Sequence, residues 1–149
     1  MDGQIQVGVQ LDLPFNDVHQ TAIAETESQL EQYATDDAKA VLRFLRPARV
    51  AYQQVVEFVL ATSKADINAV FAGSVAYLLL AANTVAGWQL ARALLIAGRS
   101  DRQGDRHFYA SKVATARFFA EHVLSQVPGQ RDVVVEGGRS VLGMPLEAF

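Results

Sequence analysis

Cysteine is absent from all 149 residues, which excludes a disulfide framework, a thiolate nucleophile and a zinc site built on sulfur. Charge is scarce as well. Only 19% of residues are Asp, Glu, Lys or Arg, fewer than a solvated domain surface usually carries, and that deficit points to a partner. With a net charge of −3, no segment gathers the Lys/Arg density that phosphate neutralisation requires, so nucleic-acid binding is excluded. The densest basic pieces, Arg43-Arg46-Arg49 and Arg99-Arg102-Arg106-His107, read as solvated faces or helix-end charges. The first residues lack a basic stretch followed by an apolar one, so no secretory signal is visible and a cytoplasmic address is the expectation. There is no internal repeat and no low-complexity tract.

What is present is apolar sequence in helical periods. Half of the residues are apolar, enough in a chain of this length to bury roughly 70% of the unfolded surface in one domain. Along 108–123, Tyr109, Val113, Ala116, Ala120 and Val123, continued by Val127, recur at steps of three and four, the seam of a helix packed against others. Lys112, Thr115, Arg117, Glu121 and His122 lie off that seam, and Arg117 with Glu121 forms an i,i+4 pair. This helix should end near Val127, before Pro128-Gly129.

Upstream, Ile5, Val7, Val9, Leu11 and Leu13 alternate with mostly polar neighbours, the period of a strand or an extended linker closed by Pro14. Asn16 or Asp17 can cap a first helix to about Tyr33, and Thr35, Asp36 and Asp37 offer a cap for a second from about Asp37 to Ser63. Pro47 falls inside that pattern and predicts a kink or break near Leu45 and Arg46. From Ile67 to Ala91 there are 25 residues without charge, long enough for a membrane span. Asn68, Ser74, Asn83, Thr84 and Gln89 interrupt the run, and no aromatic belt marks both ends. A buried central or interface helix is the better reading, with Ala69, Ala72, Gly73 and Ala76 allowing close approach of neighbours. Gly98 is suited to end this helix and Asp105 to cap the next. Asp132 to Glu136 can be a helical turn or an extended piece, and the last residues read as a tail over a partner surface.

Constellations for chemistry are thin. His107 and His122 would stand on one helix about 22 Å apart at 1.5 Å per residue, too far to share an ion, and His19 is remote in sequence. The acids Glu25 and Glu27 do not face each other on a helix, and Asp36-Asp37 suits a helix start. Ser63, Ser74, Ser100, Ser111, Ser125 and Ser140 have no histidine or acid at helical reach for a base–orienter relay. Gly137-Gly138 lacks the strand–turn–helix context of a phosphate loop. Trp88 and Tyr77 read as core packing. No catalytic, cofactor-binding or metal-ligating residue is assigned in this chain.

Three stretches carry a resemblance: the 108–123 helix; Gly73-Ser74-Val75-Ala76-Tyr77-Leu78 continuing to Gly87-Trp88-Gln89-Leu90-Ala91-Arg92; and Ser140-Val141-Leu142-Gly143-Met144-Pro145-Leu146-Glu147-Ala148-Phe149. In that order and spacing they resemble the C-terminal extension of large FAD-dependent acyl-CoA dehydrogenases. The resemblance covers about the last half of the chain; residues before Asp66 share only helical character. It implies that FAD, the acyl-CoA thioester and the proton-abstracting glutamate belong to a dehydrogenase core preceding this domain. The chain alone is then non-catalytic, and it meets acyl-CoA only through the parent enzyme. Its partners would be that core and further copies of itself.

The expected fold is all-α, an up-and-down bundle of about four helices. Residues 1–14 would form a linker or short strand, and 15–149 one helical domain. A free-standing helical dimerisation or adaptor domain and a membrane-associated helical domain are the alternative functions.

Overall fold

The computed structural model describes residues 14–99, 105–145 and 147, and among these there is helix and no strand. Four long helices, α1 (Pro14–Tyr33), α2 (Asp36–Thr62), α4 (Ser74–Arg99) and α5 (Arg106–His122), are joined by three shorter ones, α3 (Ile67–Ala72), α6 (Val127–Glu136) and α7 (Gly138–Leu142). The all-α expectation holds. The alternating segment 4–13 lies outside the described residues.

Local chemistry sets most helix boundaries. Helix α1 begins at Pro14, so Asn16 and Asp17 belong to its first turn instead of preceding it; proline is tolerated there because the first N–H groups of a helix have no internal acceptor. Ala34, at φ 50°, turns the chain out of α1. Thr35 then accepts from the Ala38 N–H at 3.2 Å and caps α2, with Asp36 and Asp37 in the first turn. Asp105 caps α5 by accepting from Phe108 N at 3.0 Å, and Asp66 caps α3 through Ala69 N at 3.1 Å.

Elsewhere the helices depart from the sequence reading. Helix α2 runs through Pro47 without a break. Pro47 has no N–H for the Arg43 carbonyl, but Val41, Leu45, Ala48, Ala51 and Tyr52 on either side of it are all buried, and packing outweighs one missing bond. The uncharged run, expected as one helix, is instead split at Gly73 into α3 and α4. A Cβ on Gly73 would stand 2.9 Å from Val134 Cα of α6. The break therefore lies where the two backbones nearly touch, which only glycine permits.

The 108–123 seam is reproduced: Ala116 and Ala120 are buried, with Val113 and Phe119 packed against the core. The helix closes at His122, followed by a 3-10 turn, Leu124–Gln126. Val127 and Pro128 then open α6, so Pro128 starts a helix where it was expected to follow one. Val133, Val134 and Val135, β-branched though they are, lie in that helix, with Val134 buried.

The core is a single cluster drawn from the long helices, α6 and the 3-10 turn, with Ile23, Leu30, Leu45, Val55, Leu80, Leu94, Leu124 and Val127 fully enclosed. Helix α4 is central, packing on α1, α2, α5 and α6. By length and composition alone it is apolar enough to cross a membrane, but its Thr84, Gly87, Trp88 and Ala91 are enclosed by neighbouring helices. Gly87 is a point of close approach, since a Cβ there would fall 2.6 Å from the Leu124 side chain.

Candidate functional site

The α1–α2 seam is held by charge. Glu27 is 3% exposed and accepts from Arg49 Nε at 2.8 Å and Nη2 at 3.2 Å, a forked pairing that suits the planar guanidinium. Arg46 adds a contact to Glu27 at 3.5 Å and one to Glu31. The hydrogen bond to Glu31 is the leading reason its guanidinium is held above its ordinary pKa. Two of the three arginines expected on a solvated face thus clamp one helix to another. Arg43 rests beside the Phe44 ring.

At the opposite edge of α2, Arg117 Nη1 donates to Asp37 at 3.0 Å and Nε to Glu121 at 2.9 Å. The i,i+4 pair read from the sequence is present, and its arginine also bridges α5 to the start of α2. These groups rim an open cavity of about 600 Å³ floored by Leu94, Ala110, Val113 and Ala114. Tyr33 and Gly98 complete one wall. All three charges at this rim are committed to one another.

A second recess, about 400 Å³, lies between α1 and α4. Its wall is Trp88, whose indole N–H donates to Thr26 Oγ1 at 2.9 Å, while Thr26 in turn donates to the Ala22 carbonyl. His19 meets the same ring edge-on at 5.8 Å. The Arg92 guanidinium lies 5.4 Å from the ring centroid. Trp88 is therefore a core residue with one edge at the recess, as the sequence suggested; Tyr77 packs instead against Tyr52, at 6.5 Å.

The third feature is an apolar ridge. On α3 and the first half of α4, Phe71, Val75, Leu78 and Leu79 are 63%, 80%, 72% and 50% exposed. Helix α7, packed on α3, adds Val141 and Leu142, and Met144 follows, all at least half exposed. Scattered apolar side chains are ordinary; this many on adjoining elements is more than scatter.

Among the described residues no three His, Asp or Glu side chains gather as a metal site. His107 and His122 stand at opposite ends of α5, with His122 stacked on Phe118 at 4.4 Å. Ser111 and Ser140 donate to backbone carbonyls. Sequence reasoning missed the Arg49–Glu27 clamp, the Asp37–Arg117 bridge and the Thr26–Trp88 bond, which join residues 22, 80 and 62 positions apart.

Comparison with known proteins agrees with the resemblance drawn from the three stretches. The chain is 35% identical over 121 residues, 80% of its length, to 3-methylmercaptopropionyl-CoA dehydrogenase of Ruegeria pomeroyi. It spans about a fifth of the length of that curated relative. Residues 15–145 match the model of the family described as acetyl-CoA dehydrogenase C-terminal like. The match takes in every described helix but the first residue of α1, and on it the chain belongs to the acetyl-CoA dehydrogenase C-terminal-like family.

Proposed function

We propose that this chain serves as the C-terminal helical domain of an FAD-dependent acyl-CoA dehydrogenase, and that its role there is architectural. The intact enzyme would introduce a Cα–Cβ double bond into an acyl-CoA thioester, with flavin, substrate and base held by the preceding core. The observation that carries the role is the ridge of Phe71, Val75, Leu78, Leu79, Val141, Leu142 and Met144. It offers a partner a large dry surface and contains no titratable group that could take part in proton or hydride transfer. Its cover would be the dehydrogenase core or a second subunit, so that the domain supports the assembly without touching the reacting atoms.

Two measurements test this. The purified chain should be colourless and should oxidise no acyl-CoA in the presence of an artificial electron acceptor; a yellow protein carrying stoichiometric FAD would refute the reading. In a polypeptide that joins the domain to its dehydrogenase core, Leu78→Asp should weaken assembly and lower melting temperature. Turnover per flavin-loaded, assembled enzyme should stay within a few-fold of the parent. A loss of turnover beyond about a hundredfold, 2.7 kcal/mol in barrier, with flavin content and assembly intact would assign the ridge a share of the chemistry.

A further inference from the structure

The recess between α1 and α4 is lined by two arginines of one helix, Arg92 and Arg99, with Glu25 as its one acidic lining residue. Arg46, Arg49, Arg117 and Arg131 all lie within 4.0 Å of a carboxylate. Arg92 and Arg99, both lining the recess, make no ion pair among the described residues. They are seven residues apart on α4, two helical turns, so they stand on the same face about 10 Å apart. A ligand that meets both guanidinium groups must therefore span a gap of that order along α4.

Arg92 is held in place without being neutralised. Its guanidinium lies over the Trp88 ring and its Nη1 donates to Gln89 Oε1 at 3.0 Å, while Trp88 is itself fixed through Thr26 to the α1 backbone. Glu25 sits on the facing wall, beyond ion-pair distance of either arginine, and leaves the recess with a local charge of about +1. A planar guanidinium that is oriented but lacks an anion is suited to phosphate oxygens, which it binds through paired N–H donors.

We propose that this recess binds a diphosphate group, with Arg92 and Arg99 each taking one phosphoryl end. A single carboxylate would engage one guanidinium and leave the other unmatched. A diphosphate spans both and carries enough charge to outweigh Glu25. The volume of about 400 Å³ is at the small end of ligand pockets, and it accommodates this group with a short substituent lying on Leu95 and Ile96.

Trp88 is the sole tryptophan of the chain, so its emission reports directly on the recess. Titration of the purified chain with inorganic pyrophosphate in low-salt buffer should give a saturable change in that emission, with a dissociation constant below about 1 mM. Sodium chloride at matched ionic strength should not reproduce it. Arg99→Gln leaves the Trp88–Arg92 contact in place and should weaken binding at least tenfold, whereas Glu25→Gln, by removing the opposing charge, should tighten it several-fold. The opposite responses separate a site from a general loss of structure. The proposal is overturned if the change is unsaturable, if chloride reproduces it, or if the two variants bind pyrophosphate as the parent does.

Discussion

Leu79 and Leu80 are consecutive residues of the same helix, chemically identical, and in opposite environments: Leu79 is 50% exposed and Leu80 fully enclosed. The inner face of α4, with Leu80, Thr84, Gly87, Trp88 and Ala91, is packed so closely that a Cβ on Gly87 would require the Leu124 side chain to shift. The outer face, with Val75, Leu78 and Leu79, is equally apolar and at least half exposed at each of these positions. Hydrophobicity alone does not distinguish the two faces. The inner face makes the fold; the outer face is available for assembly.

The sharpest way to break that comparison is to place the same charge on both sides of it. Leu80→Asp buries an unpaired carboxylate and should unfold the domain or cost about 4 kcal/mol or more, read by chemical denaturation. Leu79→Asp should leave the denaturation midpoint close to that of the parent and change only association, read by sedimentation. Equal destabilisation by the two would erase the distinction between the faces.

Next in size is the charge clamp between α1 and α2. Arg49→Ala leaves the Glu27 carboxylate 3% exposed, with only the longer 3.5 Å contact to Arg46, and should cost about 2–4 kcal/mol. Arg49→Lys, which keeps the charge but loses the fork, should fall between. Gly73→Ala, at the junction of α3 and α4, should cost about 1–3 kcal/mol, because the added methyl meets the Val134 backbone and not a side chain that can rotate away. A thermal melt unchanged by that substitution would show that α6 can shift, and that the inner face is looser than its geometry indicates.

The smallest expected effect is titration. Burial raises the Tyr52 phenol above its ordinary value of 10.0, and burial followed by the neighbouring Tyr52 raises Tyr77. The unfolded chain therefore loses these protons first as pH rises. Stability should be unaffected by these groups below about pH 10 and should decline above it, up to the folded-state values. In Tyr52→Phe this alkaline decline should be shallower; an identical slope would place the ring in contact with water.

Much of this was legible in the sequence, where neighbours along the chain determine the outcome. The α5 seam followed from the spacing of Val113, Ala116 and Ala120, and the caps at Thr35 and Asp105 followed from short polar side chains before apolar runs. The break at Gly73 was not legible, because an uncharged run has no polar face from which to read a period, and because the cause is Val134, 61 positions away. Pro47 shows the same limit in reverse: its local penalty is real, yet the buried residues on either side carry α2 past it as one helix. No arginine pairing across helices could be read either, since Arg46, Arg49 and Arg92 look alike in a string, and only the fold gives the first two a carboxylate and leaves the third without one.

Ala34 carries a consequence for the order of assembly. With a single residue at φ 50° and the capping Thr35 between them, α1 and α2 need close only a very short loop before Glu27 finds Arg49, 22 positions on. The α2–α6 and α4–α6 contacts require far longer closures and a correspondingly larger loss of chain entropy. The α1–α2 hairpin thus costs less loop entropy to close than either of those pairs, and an alanine in the left-handed region, which restrains the unfolded turn more than glycine would, trades a little native strain for an earlier start.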